Sequence, residues 1–143
     1  MKSQYVIIVG CGILGSALAN TLSALGHSIV IIDHSEDSFD ELGNEFSGFK
    51  INGDANEFFV LSQAKVDKAD VVLAVTDDDN LNIMLAQICQ KVYNIPNVIA
   101  RVNQPKSAEL FNKLGIKTIC PATLALDNLV RILDQTQDHE GAK

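Results

Sequence analysis

The chain has 143 residues, 11 of them Lys or Arg against 18 Asp or Glu, and a formal net charge of −7. That length suits one domain burying roughly 70% of its unfolded surface, and the acidic balance opposes nucleic-acid binding, which is driven by counterion release around Lys and Arg. Cys11, Cys89 and Cys120 are widely spaced with no CxxC pair, which argues against a bridged secreted domain and a zinc site and points to reduced, buried thiols in a cytosolic protein.

The first stretch, VIIVGCGILGSALA from Val6, admits two readings. No Asp, Glu, Lys or Arg lies between Lys2 and Asp33, a length that permits a membrane span, and IVGC at Ile8 to Cys11 resembles a lipoprotein cleavage box. The internal order decides against both. β-Branched residues cluster in YVIIV and SIVII at the two ends, while glycines and then Ser16, Asn20, Thr21, Ser23 and His27 fill the middle. A strand, a turn, a helix and a strand explain that order. The apolar run before Cys11 is also shorter than the roughly 7–15 residues of a signal sequence.

Leu14, Ala17, Leu18, Thr21, Leu22 and Leu25 recur at helical spacing, and Gly26 stands where a helix ends. Ser28 to Asp33 is a continuous apolar run closing on an acid, as in a parallel strand buried on both faces. SEDSFDELGNEF predicts a helix with Ser35 as N-cap, GFKI a short strand, and NEFFVLSQAKV a helix capped by Asn56. ADVVLAV is a strand, and DNLNIMLAQICQKVYN a helix with Asp78 or Asp79 as N-cap. NVIARV is the fifth strand, KSAELFNKLG a helix ending at Gly115, and IKTIC the sixth strand. Pro121 opens a last helix on which Leu126, Leu129, Val130 and Leu133 share one face. The polar end from 137 to 143 is expected to be a disordered tail.

Six strands alternating with helices predict an α/β, Rossmann-like doubly wound parallel sheet of order 3-2-1-4-5-6 with helices on both faces. One domain, 1–136, accounts for all of it.

GCGILG places Gly10, Gly12 and Gly15 in a G-x-G-x-x-G pattern directly after a predicted strand and before a predicted helix, the context that gives the motif its meaning. The first glycine serves a tight turn, the second lets the backbone approach a pyrophosphate, and the third lets the helix pack closely on the strand. Asp33 closes the second strand at the spacing of about 20 residues where a carboxylate accepts hydrogen bonds from the adenosine ribose and repels a 2′-phosphate, so NADP is disfavoured. Asp54 in GDA follows the third strand. Thr76 and Asp77 in TDDDN follow the fourth, on the rim where such sheets bind ligands. Asp77, Asp78 and Asp79 offer oxygen atoms to a hard cation, but helix capping explains them more simply and no metal is assigned. Arg101, in an otherwise apolar strand, calls for an anionic partner, either a ligand phosphate or carboxylate or a structural ion pair.

With GCGILG, IIDH, NGDA, ADVVLAVTDDDNLN, VIARV and LGIKTICP in view, the chain resembles, over roughly residues 4–135, the N-terminal nucleotide-binding domain of the RCK (regulator of potassium conductance) family, also called KTN or TrkA-N. The resemblance implies a non-catalytic regulatory domain, cytoplasmic and peripheral to the inner face of the membrane. Its partner would be a potassium channel or transporter subunit, and it would assemble as a homodimer or ring. It implies binding of NAD(H), ATP, ADP or AMP, with phosphates at Gly10, Cys11, Gly12, Ile13, Leu14 and Gly15, ribose at Asp33, adenine near His34, Asp54 and Ala55, and the distal end near Thr76, Asp77 and Arg101. Ile83, Leu85 and the face from Leu126 to Leu133 become dimer candidates.

Two departures bear on the ligand. Potassium-uptake members that recognise ATP often carry Arg in the glycine loop, where this chain has Ile13, and Glu after the last strand's proline, where it has Ala122. NAD(H), AMP or ADP is therefore favoured over ATP with a metal. The chain also stops before the smaller C-terminal domain of many members, so it reads as a short stand-alone subunit or a fragment of a longer protein. The rival reading is an NAD-binding redox sensor or small NAD-dependent oxidoreductase unrelated to potassium transport. A dehydrogenase would need an acid or base over the nicotinamide and a second-substrate pocket. The histidines offer little for that: His27 follows a helix end, His34 lies near the adenine end and His139 is in the tail.

Overall fold

The structure, a computed structural model, describes residues 2–141. Six parallel strands, β1 (Tyr5–Val9), β2 (Ser28–Asp33), β3 (Phe49–Asn52), β4 (Val71–Ala74), β5 (Asn97–Arg101) and β6 (Lys117–Ile119), form one sheet in the order β3-β2-β1-β4-β5-β6. The doubly wound sheet expected from the sequence is the one observed. Residues alternate between the two sides of each strand. On one side Ile7, Val9, Val30, Ile32 and Val72 meet Val60 and Leu61 of α2 (Phe58–Gln63) and Leu85, Ala86 and Cys89 of α3 (Asp79–Lys91). On the other Val6, Ile8, Ile29, Ile31 and Leu73 meet Ala19 of the first helix, α1 (Ile13–Ala24), and Phe39. Burial on both sides is why β1, β2 and β4 read as near-continuous apolar runs.

Gly26 ends α1 at φ +92°, with the His27 amide donating to the Leu22 carbonyl at 3.1 Å and its own amide to Ser23 at 3.0 Å, a Schellman closure. Gly115, at φ +80°, ends α4 (Pro105–Lys113) in the same way. Asp78 caps α3, its carboxylate accepting from the Leu81 amide.

α1 forms as expected, and its innermost face is made by small residues: Gly15, Ser16, Ala19 and Ser23 are buried, Leu14, Leu18 and Leu22 only half-buried, and Leu25 exposed. Small residues let the helix sit close to the sheet, and the leucines flank that contact. Three expectations are corrected. SEDSFDELGNEF forms only a 3-10 turn at Glu36–Glu41, without a side-chain cap from Ser35. With Phe39 its one buried residue, it lacks the apolar stripe that holds a short helix. NEFFVLSQAKV is broken at Lys65, which adopts the left-handed conformation (φ 54°) before a second 3-10 turn at Val66–Lys68, and Glu57 rather than Asn56 precedes the helix. Asn56 instead donates its amide to the Asp54 carboxylate at 2.9 Å. The last helix, α5, runs from Pro121 to Gly141, so the expected tail continues as helix through 141, there being no proline or earlier glycine to stop it; 142 and 143 lie outside the described residues.

Candidate functional site

The C-terminal ends of the strands meet a crevice of about 660 Å³ lined by residues from every strand end between β3 and β5. It lies over the point where the chain order reverses between β1 and β4, the customary ligand position of such sheets, and its size is that of a small-molecule site.

The glycines that follow β1 differ in what requires them. Gly10 has φ +107°, and a Cβ there would press on the Thr76 backbone at 3.0 Å. A Cβ on Gly15 would lie 1.7 Å from the Gly10 carbonyl oxygen, so only glycine lets α1 seat on the turn. Gly12 has an ordinary φ of −84°, and a Cβ there would meet nothing within 4 Å. No contact within the chain calls for glycine at that position, which opens onto the crevice. Beside it, the amides of Ile13 and Leu14 have no acceptor among the described residues. They are free donors at the positive end of a helix.

Asp33 organises the neighbouring wall. One carboxylate oxygen accepts the Cys11 amide at 2.7 Å and the other the Ser35 amide at 2.8 Å. An ionised carboxylate has about four acceptor positions, so both oxygens keep capacity toward the crevice. His34 is exposed, with Nδ1 3.6 Å from the carboxylate. Asp54 and Ala55 follow β3 and complete this side.

The opposite side is built by Thr76, Asp77 and Asp78 after β4 and by Arg101 at the end of β5. Arg101 has no carboxylate partner among the described residues. Its Nε donates to the Asn103 side-chain oxygen at 3.1 Å, and the structural ion pair considered for it is not formed. The Asp79 carboxylate accepts the Asn103 amide at 2.9 and 3.0 Å and its side-chain NH₂ at 2.9 Å. With Asp78 capping α3, the described acids form no metal-ligating cluster.

Of the residues the sequence pointed to, Gly10, Gly12, Ile13, Asp33, His34, Asp54, Ala55, Thr76, Asp77 and Arg101 line one crevice. Cys11, Leu14 and Gly15 stand behind its wall. The Cys11 thiol is buried and donates to the Ser38 carbonyl, and burial, reinforced by the carboxylates of Asp33 and Glu41, pushes it up to about 11. Burial likewise pushes Cys89 up to about 11, whereas hydrogen bonds from Thr123 lower Cys120. Ile83 and Leu85 belong to the core, which removes them as dimer candidates, while Leu126, Leu129, Val130 and Leu133 are all about half or more exposed. Ser35, Ser38 and Leu81 also line the crevice; serines inside a polar loop and one leucine among many carry no sequence signal for that position.

The TrkA-N domain family matches residues 6–121. The Trk system potassium uptake protein TrkA of Streptomyces coelicolor is 35% identical over 130 residues, covering 91% of this chain and 58% of that protein. This chain thus spans little more than half the length of that relative. The GsuK channel solved bound to NAD superposes with a TM-score of 0.82 at 24% identity, over 96% of this chain and 24% of that one. The Kef C-terminal domain of Shewanella denitrificans, solved in an AMP-bound form, superposes with a TM-score of 0.76 at 22% identity, over 96% and 94% of the two chains. At these identities the superpositions speak for the fold.

Proposed function

This chain belongs to the TrkA-N domain family, and from that premise we propose that it binds an adenine nucleotide in the crevice and passes the occupancy of that site to a membrane potassium transport system. The observation that carries the reading is Gly12, a glycine that no contact within the chain requires, beside free amides at a helix N-terminus. A phosphate brought against this backbone explains both. The adenosine ribose then hydrogen-bonds Asp33, the adenine lies toward His34, Asp54 and Ala55, and the distal end of the ligand reaches Thr76, Asp77 and Arg101.

Four carboxylates, Asp33, Asp54, Asp77 and Asp78, line the crevice with one arginine. That balance favours NAD(H), AMP or ADP over a triphosphate, in keeping with the ligands named for the GsuK and Kef structures. The role is regulatory, not catalytic. The ligand acts by binding one arrangement of an assembly better than another, since equal binding shifts nothing; a hundredfold preference is worth about 2.7 kcal/mol. The assembly is a pair or ring of copies joined through the exposed apolar face of α5, and the membrane subunit reads its arrangement.

Calorimetric titration with NADH, NAD, AMP, ADP and ATP, with and without magnesium, tests the binding. Micromolar binding of one or more of these, lost in Asp33→Ala, is expected. A folded protein that binds none of them refutes the reading.

A further inference from the structure

The side of the crevice away from Asp33 is held together by two asparagines. Asn82, on the first turn of α3, is fully buried. Its side-chain oxygen accepts the Thr76 amide at 3.0 Å and the Thr76 hydroxyl at 2.6 Å, and its NH₂ donates to the carbonyls of Thr76 and Arg101, each at 2.9 Å. One amide group thereby joins the loop after β4 to the last residue of β5, with every donor hydrogen used. Asn103 does the complementary work on the Arg101 side chain. Its oxygen accepts from Arg101 Nε at 3.1 Å, and its NH₂ donates to Asp79 and to the Asp77 carbonyl at 2.9 and 3.2 Å. The terminal nitrogens of Arg101 have no partner among the described residues, and Arg101 lines the crevice.

The adenosine side is built by a different device, the Asp33 carboxylate clasping the Cys11 and Ser35 amides. The two halves of the crevice therefore rest on separate supports. We propose that Asn82 and Asn103 are positioning residues for the distal half of a dinucleotide: they hold Thr76 and the Arg101 guanidinium where the part of the ligand beyond the adenosine phosphate lands. A mononucleotide, which rests on the glycine turn and Asp33, does not depend on them. The proposal takes the nucleotide reading of the crevice as its premise.

The test is titration of the wild type, Asn82→Ala and Asn103→Ala with AMP and with NADH, each folded state checked by thermal melting. The expected result is a loss of NADH affinity of about tenfold or more, the effect of one mispositioned charge-assisted hydrogen bond, with AMP affinity changed by less than about threefold. A defect in the fold at large would weaken both ligands together. Equal losses, or unchanged NADH affinity in the folded variants, overturn the proposal. Should Asn82→Ala fail to fold, Asn103→Ala decides by the same split, since Asn103 is only half-buried. A wild type that binds neither ligand defeats the nucleotide reading itself, which is distinguishable from a wild type that binds both and variants that lose neither.

Discussion

Gly12 and Gly15 lie one helical turn apart, and the packing of the chain demands glycine only at the second. At Gly15 a methyl group would enter the Gly10 carbonyl, so α1 must lift off the turn. Gly15→Ala is expected to cost about 2–3 kcal/mol in urea unfolding, whatever the ligand. At Gly12 the methyl group meets open space, and Gly12→Ala should cost less than about 1 kcal/mol while weakening nucleotide binding by about tenfold or more, because the phosphate loses its close approach. If Gly12→Ala binds as the wild type does, that glycine has no role toward a ligand. The spacing of the motif makes the steric demands at Gly10 and Gly15 legible in the sequence, since each is set by a turn of a few residues. Asn82 and Asn103 are not legible in the same way. Each has one near partner in the chain, Thr76 for Asn82 and Arg101 for Asn103, but the contacts that make them clasps, Asn82 to Arg101 and Asn103 to Asp77 and Asp79, exist only because β4 pairs with β5, and nothing local marks either asparagine for that.

Among the elements, the strands and helix ends are readable in the sequence and the short connecting helices are not. Continuous apolar runs mean burial on both sides of a parallel sheet, and Gly26 and Gly115 mark closures that need a positive φ. In 34–48 and 56–68 the chain has no comparable constraint, and one buried side chain such as Phe39, or one left-handed residue such as Lys65, decides between a helix and a 3-10 turn. α5 shows the opposite case. Its apolar face is legible, but what it packs against is not, and Leu126, Leu129, Val130 and Leu133 are 61%, 60%, 49% and 63% exposed. A face of that kind associates through buried apolar area. Leu126→Asp with Leu129→Asp is expected to leave the melting temperature of the sheet domain nearly unchanged and to shift sedimentation toward a monomer. A wild type that already sediments as a monomer at high concentration would exclude self-association through this helix.

For the molecule as a whole, the net charge of −7 sets a field that repels an anionic ligand at a distance, while in the proposed binding mode Arg101 and the α1 amides would attract its phosphates at contact. The two act over different ranges. Salt screens the field beyond a Debye length of about 8–10 Å and leaves contacts in the crevice largely intact. Adding potassium chloride from low to physiological ionic strength should therefore hold or raise nucleotide affinity, the gain growing from AMP to ADP to ATP as ligand charge grows. A pocket dominated by cations shows the reverse, affinity falling with salt and falling most for the triphosphate. Titration of the three nucleotides across a salt series separates the cases. A steep loss for ATP would mean that positive side chains from outside this crevice reach the ligand. Among the described residues Arg101 is the one Arg or Lys lining the crevice, so those charges would lie beyond it, and a repeat of the salt series with Leu126→Asp and Leu129→Asp would tell whether a second copy supplies them.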